Sequence, residues 1–194
     1  MTVGSFIDRL PPGVHMQRNV EGTVIESSKS KYVIIKLLGA GGFGAVYRVH
    51  DQKDPTKMFA LKVEKKIETR KHSKLKMEIA ILKLVSNERN QSHFTAIIDR
   101  GKKETYFFLV MELVGKSLAD LKNARPERIY ILDFGIARRI LNDKNELKTP
   151  RVSVRFKGTI PFASIACHKG IEMGPKDDCE SWFYLMLDLT VPGG

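Results

Sequence analysis

Cysteine is nearly absent. The 194 residues hold two, Cys167 and Cys179, with no CxxC pair and no paired histidines at metal-binding spacing. That argues against a disulfide framework or a structural zinc site and fits a reducing compartment. Long apolar runs are also missing. No stretch approaches the roughly 18 apolar residues that a membrane helix needs. No apolar leader segment opens the chain, and Gly4 is misplaced for myristoylation. An intracellular protein, cytoplasmic or nuclear and without membrane insertion, is expected. Acidic residues are scarce: 22 Asp and Glu against 33 Lys and Arg leave a formal charge of +11. This balance favours acidic partners, whether protein segments, nucleic acid or anionic lipid. Basic residues interleaved with aromatics are lacking, so nucleic acid is the less favoured of these. At 42% hydrophobic the chain can bury a core as one domain or two lobes.

What is present concentrates between Leu38 and Lys62, LGAGGFGAVYRVHDQKDPTKMFALK. Gly39, Gly41 and Gly44 stand in G-x-G-x-x-G spacing, with Ala40, Gly42, Phe43 and Val46 around them. Glycines at this density let backbone N–H groups approach phosphate oxygens with no Cβ in the way. The same letters serve dinucleotide sites, but those need a helix starting at the last glycine. Here Ala45 to His50 is rich in β-branched and aromatic residues and carries no helix cap. Strand, glycine turn, strand is the pattern of a hairpin that covers a nucleotide.

Lys31–Leu38, Ala45–His50, Met58–Val63, Phe94–Asp99 and Tyr106–Glu112 read as strands of an antiparallel, meander-type sheet. Alternation in the third puts Met58, Ala60 and Lys62 on one face. A lysine among small apolar residues is either a buried, paired cation or an edge residue snorkelling to water. Residues 70–86 read as a helix with Leu75, Ile79, Leu82 and Val85 on one stripe, and Glu78 falls on that stripe. A carboxylate there is costly unless paired, and Lys62 is the obvious partner; a solvated flanking glutamate is the alternative. Leu113–Leu118 breaks the pattern as a hinge would, and Ser117 could cap a short turn, Leu118–Lys122. Arg128–Leu132 reads as a further strand running into Asp133-Phe134-Gly135, where a carboxylate at a glycine turn suits a magnesium ion beside phosphates. Arg138–Gly158 is basic and polar, and Asp177–Leu189 is a strongly apolar helix around Trp182.

Taken together, GTVI (Gly22–Ile25), LGAGGFGAVY, FALKVE, LKMEIAILK, VMELVGKSLADL, YILDFGIAR, GTIPFAS and DDCESWFY resemble the protein kinase superfamily. The resemblance is strongest to its casein kinase I group, including the tau-tubulin kinases, and covers about residues 20–190. It implies an α+β, two-lobed protein-kinase-like fold whose five-stranded antiparallel N-lobe carries one main helix. The expected divisions are an extension over 1–30, partly disordered, an N-lobe over 31–114 and an incomplete C-lobe over 115–194. It also implies ATP and Mg2+ as cofactors, a protein substrate and Ser/Thr phosphorylation as the reaction. By position, Leu38 and Gly39 to Val46 would cover the nucleotide, with Ala60 in its pocket. Lys62 would hold the α- and β-phosphates, oriented by Glu78. Met111 would be the gatekeeper, Glu112 to Val114 the hinge, Asp133 the metal ligand, and Asp178 the helix aspartate supporting the catalytic loop.

One departure is large. The family carries H-R-D-x-x-x-x-N between hinge and DFG, yet no HRD occurs in the chain, and only the eight residues Lys122–Ile129 follow Leu121 before the strand leading to DFG. The aspartate that accepts the substrate proton and the asparagine on the second magnesium are thus both missing. General-base catalysis alone is commonly worth about 10² to 10⁴-fold. An inactive chain is therefore expected, with a non-catalytic pseudokinase module as the alternative. Pro161 also stands where the group places an arginine for anionic substrates, with Arg155 and Lys157 nearby, so no preference for pre-phosphorylated substrates is expected.

Overall fold

The computed structural model describes residues 20–41, 44–67, 73–85, 93–121 and 128–191. The chain divides into two compact units, Met1–Gly115 with Pro126–Gly135, and Lys116–Arg125 with Ile136–Gly194. Asp133-Phe134-Gly135 therefore belongs to the first unit, whereas a boundary at residue 114 would place it in the second.

The first unit is built on strands β1 (Val24–Glu26), β2 (Lys31–Gly41), β3 (Gly44–Asp51), β4 (Met58–Lys65), β5 (Ile97–Lys102) and β6 (Tyr106–Glu112). They form one antiparallel sheet in the order β1-β2-β3-β4-β6-β5. Five are the expected strands. β1 is additional and lies inside the segment expected as an extension, so the sheet begins before residue 31. Its turn is made by Ser27, whose Oγ accepts from the Lys29 and Ser30 amides at 3.0 and 2.9 Å. The order is a meander only as far as β4, because β5 goes to the edge and β6 returns beside β4.

Two expected strands differ. Phe94–Asp99 is replaced by Ile97–Lys102, because Arg100, Gly101 and Lys102 pair with Leu109, Phe108 and Phe107. Gly101 permits this: a Cβ there would lie 2.3 Å from the Phe108 ring. Arg128–Leu132 does not form a strand. Ile131 makes one parallel bridge to Phe94 and donates its N–H to the His93 carbonyl at 2.8 Å. A strand needs a continuing neighbour for its backbone groups, and among the described residues the bridge to Phe94 is the one ladder pairing of this segment.

The sheet buries both faces. Ile25, Tyr32, Ile34, Ala45, Tyr47, Val49, Leu61, Val63, Tyr106, Phe108 and Val110 form a core on its inner side. On the other side Ala60, Leu109 and Met111 pack with Leu75 and Leu82 of helix α1 (Lys74–Val85). The curl of the sheet brings its two ends together: Asp99 of β5 accepts from Ser27 Oγ and, at 3.1 Å, from the Tyr32 hydroxyl of β2. Ser73 precedes helix α1, its Oγ accepting from the Lys76 amide at 3.1 Å, and the buried stripe of the helix is Leu75, Glu78 and Leu82, as expected from the spacing.

In the second unit Leu118–Leu121 is a 3-10 turn, with Ser117 Oγ accepting from the Asp120 amide at 3.3 Å. Two short helices follow, the 3-10 turn Ile160–Phe162 and α2 (Ile165–His168), and then the long α3 (Pro175–Thr190). Ser164 caps α2 through the Cys167 amide, and Glu180 of α3 accepts from the Ile165 amide at 2.9 Å. Between Ile136 and Gly158 the chain is irregular and pinned by Glu172, which binds Arg138 at 2.5 Å and Arg151 at 2.6 and 2.8 Å. Trp182, Phe183, Met186, Leu187 and Leu189 of α3 are exposed.

Candidate functional site

The site is centred on β4. Its pleat directs Leu61 and Val63 into the inner core and Ala60, Lys62 and Glu64 toward α1. Lys62 is 6% exposed and Glu78 2%. The ammonium Nζ lies 2.7 Å from Glu78 Oε2, so the pairing expected from spacing is made. Each alone would be a costly buried charge; together they hold the ammonium in a fixed place.

Lys62 has a second partner. Asp133 Oδ1 lies 3.0 Å from Nζ. Asp133 has φ 68, the left-handed region that Asp tolerates when its side chain bonds the backbone locally, and its Oδ1 accepts from the Gly135 amide at 2.8 Å. Both contacts fall on Oδ1, and the side chain is 47% exposed. Phe134 packs on the α1 side of the sheet with its ring 5.8 Å from that of Phe94. The two carboxyls respond differently to one cation. Burial pushes Glu78 up, and the Lys62 ammonium offsets that only in part. Burial also pushes Asp133 up, but Lys62 and the Gly135 amide outweigh it and hold the carboxyl below the ordinary range. As pH falls, Glu78 therefore takes a proton first.

The glycine hairpin joins β2 to β3, with Gly39 opposite Val46, Ala40 opposite Ala45 and Gly41 opposite Gly44. Gly42 and Phe43 lie outside the described residues. The glycines do different work. At Gly39 and Gly41 a Cβ would meet nothing of the described residues within 4 Å. Gly44 has φ +121, and a Cβ there would lie 2.0 Å from the Val63 carbonyl of β4. Gly44 thus lets the start of β3 lie close against the Val63 carbonyl of its neighbour β4, while Gly39 and Gly41 leave open room that phosphate oxygens could fill.

Register gathers the remaining expected residues. Val46 pairs with Lys62 and Ala60 with Met111. Ala60 and Met111 are buried, Val46 is half-buried, and Leu38 is 46% exposed at the edge. Glu112 ends β6, and its carboxylate accepts from the Ala96 amide at 2.9 Å. Val114 follows in the half-buried connection. Asp178, expected as a supporting aspartate, is exposed on α3; the buried neighbour is Asp177, which accepts from the Gly174 amide at 2.8 Å.

Among the described residues no three metal-ligating side chains gather. Asp133 offers a single carboxylate, which is what magnesium needs when phosphates and water supply its other oxygens. Sequence reasoning missed two features. One is the direct contact of Lys62 with Asp133, since no periodicity links positions 71 residues apart. The other is Glu64, 3% exposed, which follows Lys62 on the same pleat and meets the start of α1. Its signal was the alternation that placed Ala60 and Lys62, extended by two residues.

Comparison with known proteins agrees with this geometry. A family model described as protein kinase domain matches residues 32–130. Serine/threonine-protein kinase spe-6 of Caenorhabditis elegans is 26% identical over 87% of the chain and 56% of its own length. A protein named as a probable casein kinase I homolog in Encephalitozoon cuniculi is 28% identical over 80% of the chain and 61% of its own. A Dictyostelium discoideum protein named as a probable serine/threonine-protein kinase is 25% identical over 84% of the chain and 41% of its own. The chain therefore spans roughly half the length of the relatives it matches. With its Lys62–Glu78 pair, its glycine hairpin and a model match over half its residues, the chain belongs to the protein kinase domain family.

Proposed function

We propose that this chain is a nucleotide-binding protein kinase domain of the casein kinase I group, inactive in phosphotransfer as the polypeptide stands. The observation that carries the binding is the Lys62 ammonium, held at 2.7 and 3.0 Å between Glu78 and Asp133 on the strand that Gly44 lies close against. Lys62 binds the α- and β-phosphates, with Glu78 preventing its retreat toward solvent. Gly39 and Gly41 admit the phosphates close to the hairpin backbone. Leu38, Val46, Ala60 and Met111 face the base, and Glu112 to Val114 offer backbone groups to its edge. Asp133 would hold magnesium through its carboxylate. Mg·ATP, when bound, supplies the transferable phosphoryl group. Likeness to a casein kinase I homolog and the GTIPFAS and DDCESWFY stretches support the group.

Inactivity follows from composition inside the chain. No HRD is present and eight residues, Lys122–Ile129, follow Leu121, so no aspartate is available to take a proton from a substrate hydroxyl. The test is Mg·ATP titration of the chain and of Lys62→Ala, followed by transfer to casein. Saturable binding that weakens at least about tenfold in Lys62→Ala, with transfer no higher than that variant's background, is expected. Transfer above the background sinks the inactivity, and binding equal in both chains sinks the nucleotide site.

The exposed Trp182, Phe183 and Met186 favour a second reading, a non-catalytic module that binds a protein partner. The charge of +11 makes an acidic protein the better match, in a cytoplasmic or nuclear setting. Nucleic acid is disfavoured; a salt titration of binding tests it, and a flat response removes that reading.

A further inference from the structure

Glu64 carries three hydrogen bonds that no nucleotide contact requires. Its Oε2 accepts from the Ser73 hydroxyl at 3.0 Å and the Leu75 amide at 2.5 Å, and its Oε1 from the Lys74 amide at 3.3 Å. These amides belong to the first turn of α1, where N–H groups lack partners within the helix and the dipole favours a negative charge. The helix supplies no acidic residue of its own in that turn, so the carboxylate comes from β4 instead. The same strand face, two residues back, presents Lys62 to Glu78. Strand and helix are thus joined at two points. Lys62 and Glu64 lie about 7 Å apart along β4, and Leu75 and Glu78 about 4.5 Å apart along α1. One contact alone would leave α1 free to pivot about it; two set both its position along the strand and its rotation.

We infer that Glu64 is a positioning residue, which seats the first turn of α1 so that Glu78 reaches Lys62. The inference rests on the nucleotide-site reading for its consequence in binding, but not for the placement of the helix. The bonds to Ser73, Lys74 and Leu75 let Glu64 act on phosphate binding through α1. Its charge would act in the opposite sense, since an anion near bound phosphates repels them, and removing it should strengthen binding. Loss of positioning weakens binding. The sign therefore separates the two roles.

The experiment uses the full chain with 13C-methyl methionine labelling. Met111 packs in the cluster that includes Leu75 and Leu82 of α1, so its methyl resonance reports the seating of the helix without any nucleotide. In Glu64→Ala, measured well below its melting temperature, the Met111 signal is expected to move. Mg·ATP affinity should fall about tenfold, the size of one lost charge-assisted hydrogen bond. Glu78→Gln should lose a similar factor, and the double variant should lose little more. Glu64→Gln keeps the side-chain shape and one carbonyl oxygen for the Leu75 amide, so it folds where the alanine variant fails; its affinity should also fall. A lower melting temperature with the Met111 signal in its wild-type place overturns the inference, as does tighter binding by Glu64→Gln. A shifted Met111 signal with affinity unchanged in both Glu64→Ala and Glu78→Gln upholds the seating by Glu64 and overturns the nucleotide site.

Discussion

Replacing Lys62 by methionine removes one charge from the centre of the site while keeping nearly the same length of chain. Glu78 stays 2% exposed, and everything acting on it then points one way. In the native chain burial raises its carboxyl, Asp133 and Glu64 raise it further, and Lys62 is the only influence lowering it. Without Lys62 the folded state favours the protonated form more strongly. A raised carboxyl contributes stability that is fully present below its unfolded value, near 4.5, and is lost as pH rises through the folded value. Lys62→Met should therefore be tolerated at about pH 5 and lose up to about 1.4 kcal/mol for each further pH unit until the new folded value is reached. An unpaired buried charge commonly costs about 3–5 kcal/mol, which caps the loss, so an added penalty of about 2–4 kcal/mol by about pH 8 is expected. Asp133 also loses its cation. Its lowered carboxyl stabilises the fold above its unfolded value of 3.8, so its loss is a constant offset over that range. Urea unfolding followed by far-UV circular dichroism at several pH values measures the trend. Lys62→Met/Glu78→Gln, which leaves no charge at either position, should show a flat profile and recover most of the stability. A penalty for Lys62→Met that is the same at every pH would refute the coupling of Glu78 to Lys62.

Other outcomes follow from single contacts. Gly44→Ala should lower stability by at least about 1–3 kcal/mol, because a Cβ would sit 2.0 Å from the Val63 carbonyl at φ +121, whereas Gly41→Ala should melt as the native chain does and bind Mg·ATP less well. Thermal melts with and without nucleotide separate the two, and equal melting temperatures would count against the close approach of Gly44 to β4. Asp99→Ala should cost about 1.5–3 kcal/mol in urea unfolding by opening the clasp of Ser27 and Tyr32 between the sheet ends; a loss under about 0.5 kcal/mol would mean that the clasp holds nothing. Glu172→Gln should release Arg138 and Arg151 and speed tryptic cleavage between residues 138 and 158. Unchanged cleavage would show that the segment is held elsewhere.

Much of the site was legible in the sequence because short-range periodicity carries it. Alternation along Met58–Val63 put Ala60 and Lys62 on one face, and helical spacing put Glu78 among Leu75, Ile79 and Leu82. Two unaffordable buried charges had to find each other, and their separation of 2.7 Å is the outcome. The glycine spacing likewise marked the hairpin, since β-branched residues on both sides exclude a helix there.

Tertiary structure decided what local pattern leaves open. Apolar content made Arg128–Leu132 look like a strand, but strands exist only with a neighbour, and the fold supplies one bridge at Ile131. Position along β5 was set by pairing with β6, and by the Phe108 ring that demands a glycine at 101, rather than by the apolar run starting at Phe94. β1 formed from a weakly patterned stretch because β2 offered it an edge. Asp133 and Glu64 meet Lys62 and α1 only through chain paths closed in three dimensions, where the low-dielectric interior makes each buried charge find a partner. Residue type and spacing thus determined which groups must be paired, and the curled sheet with its helix determined with which.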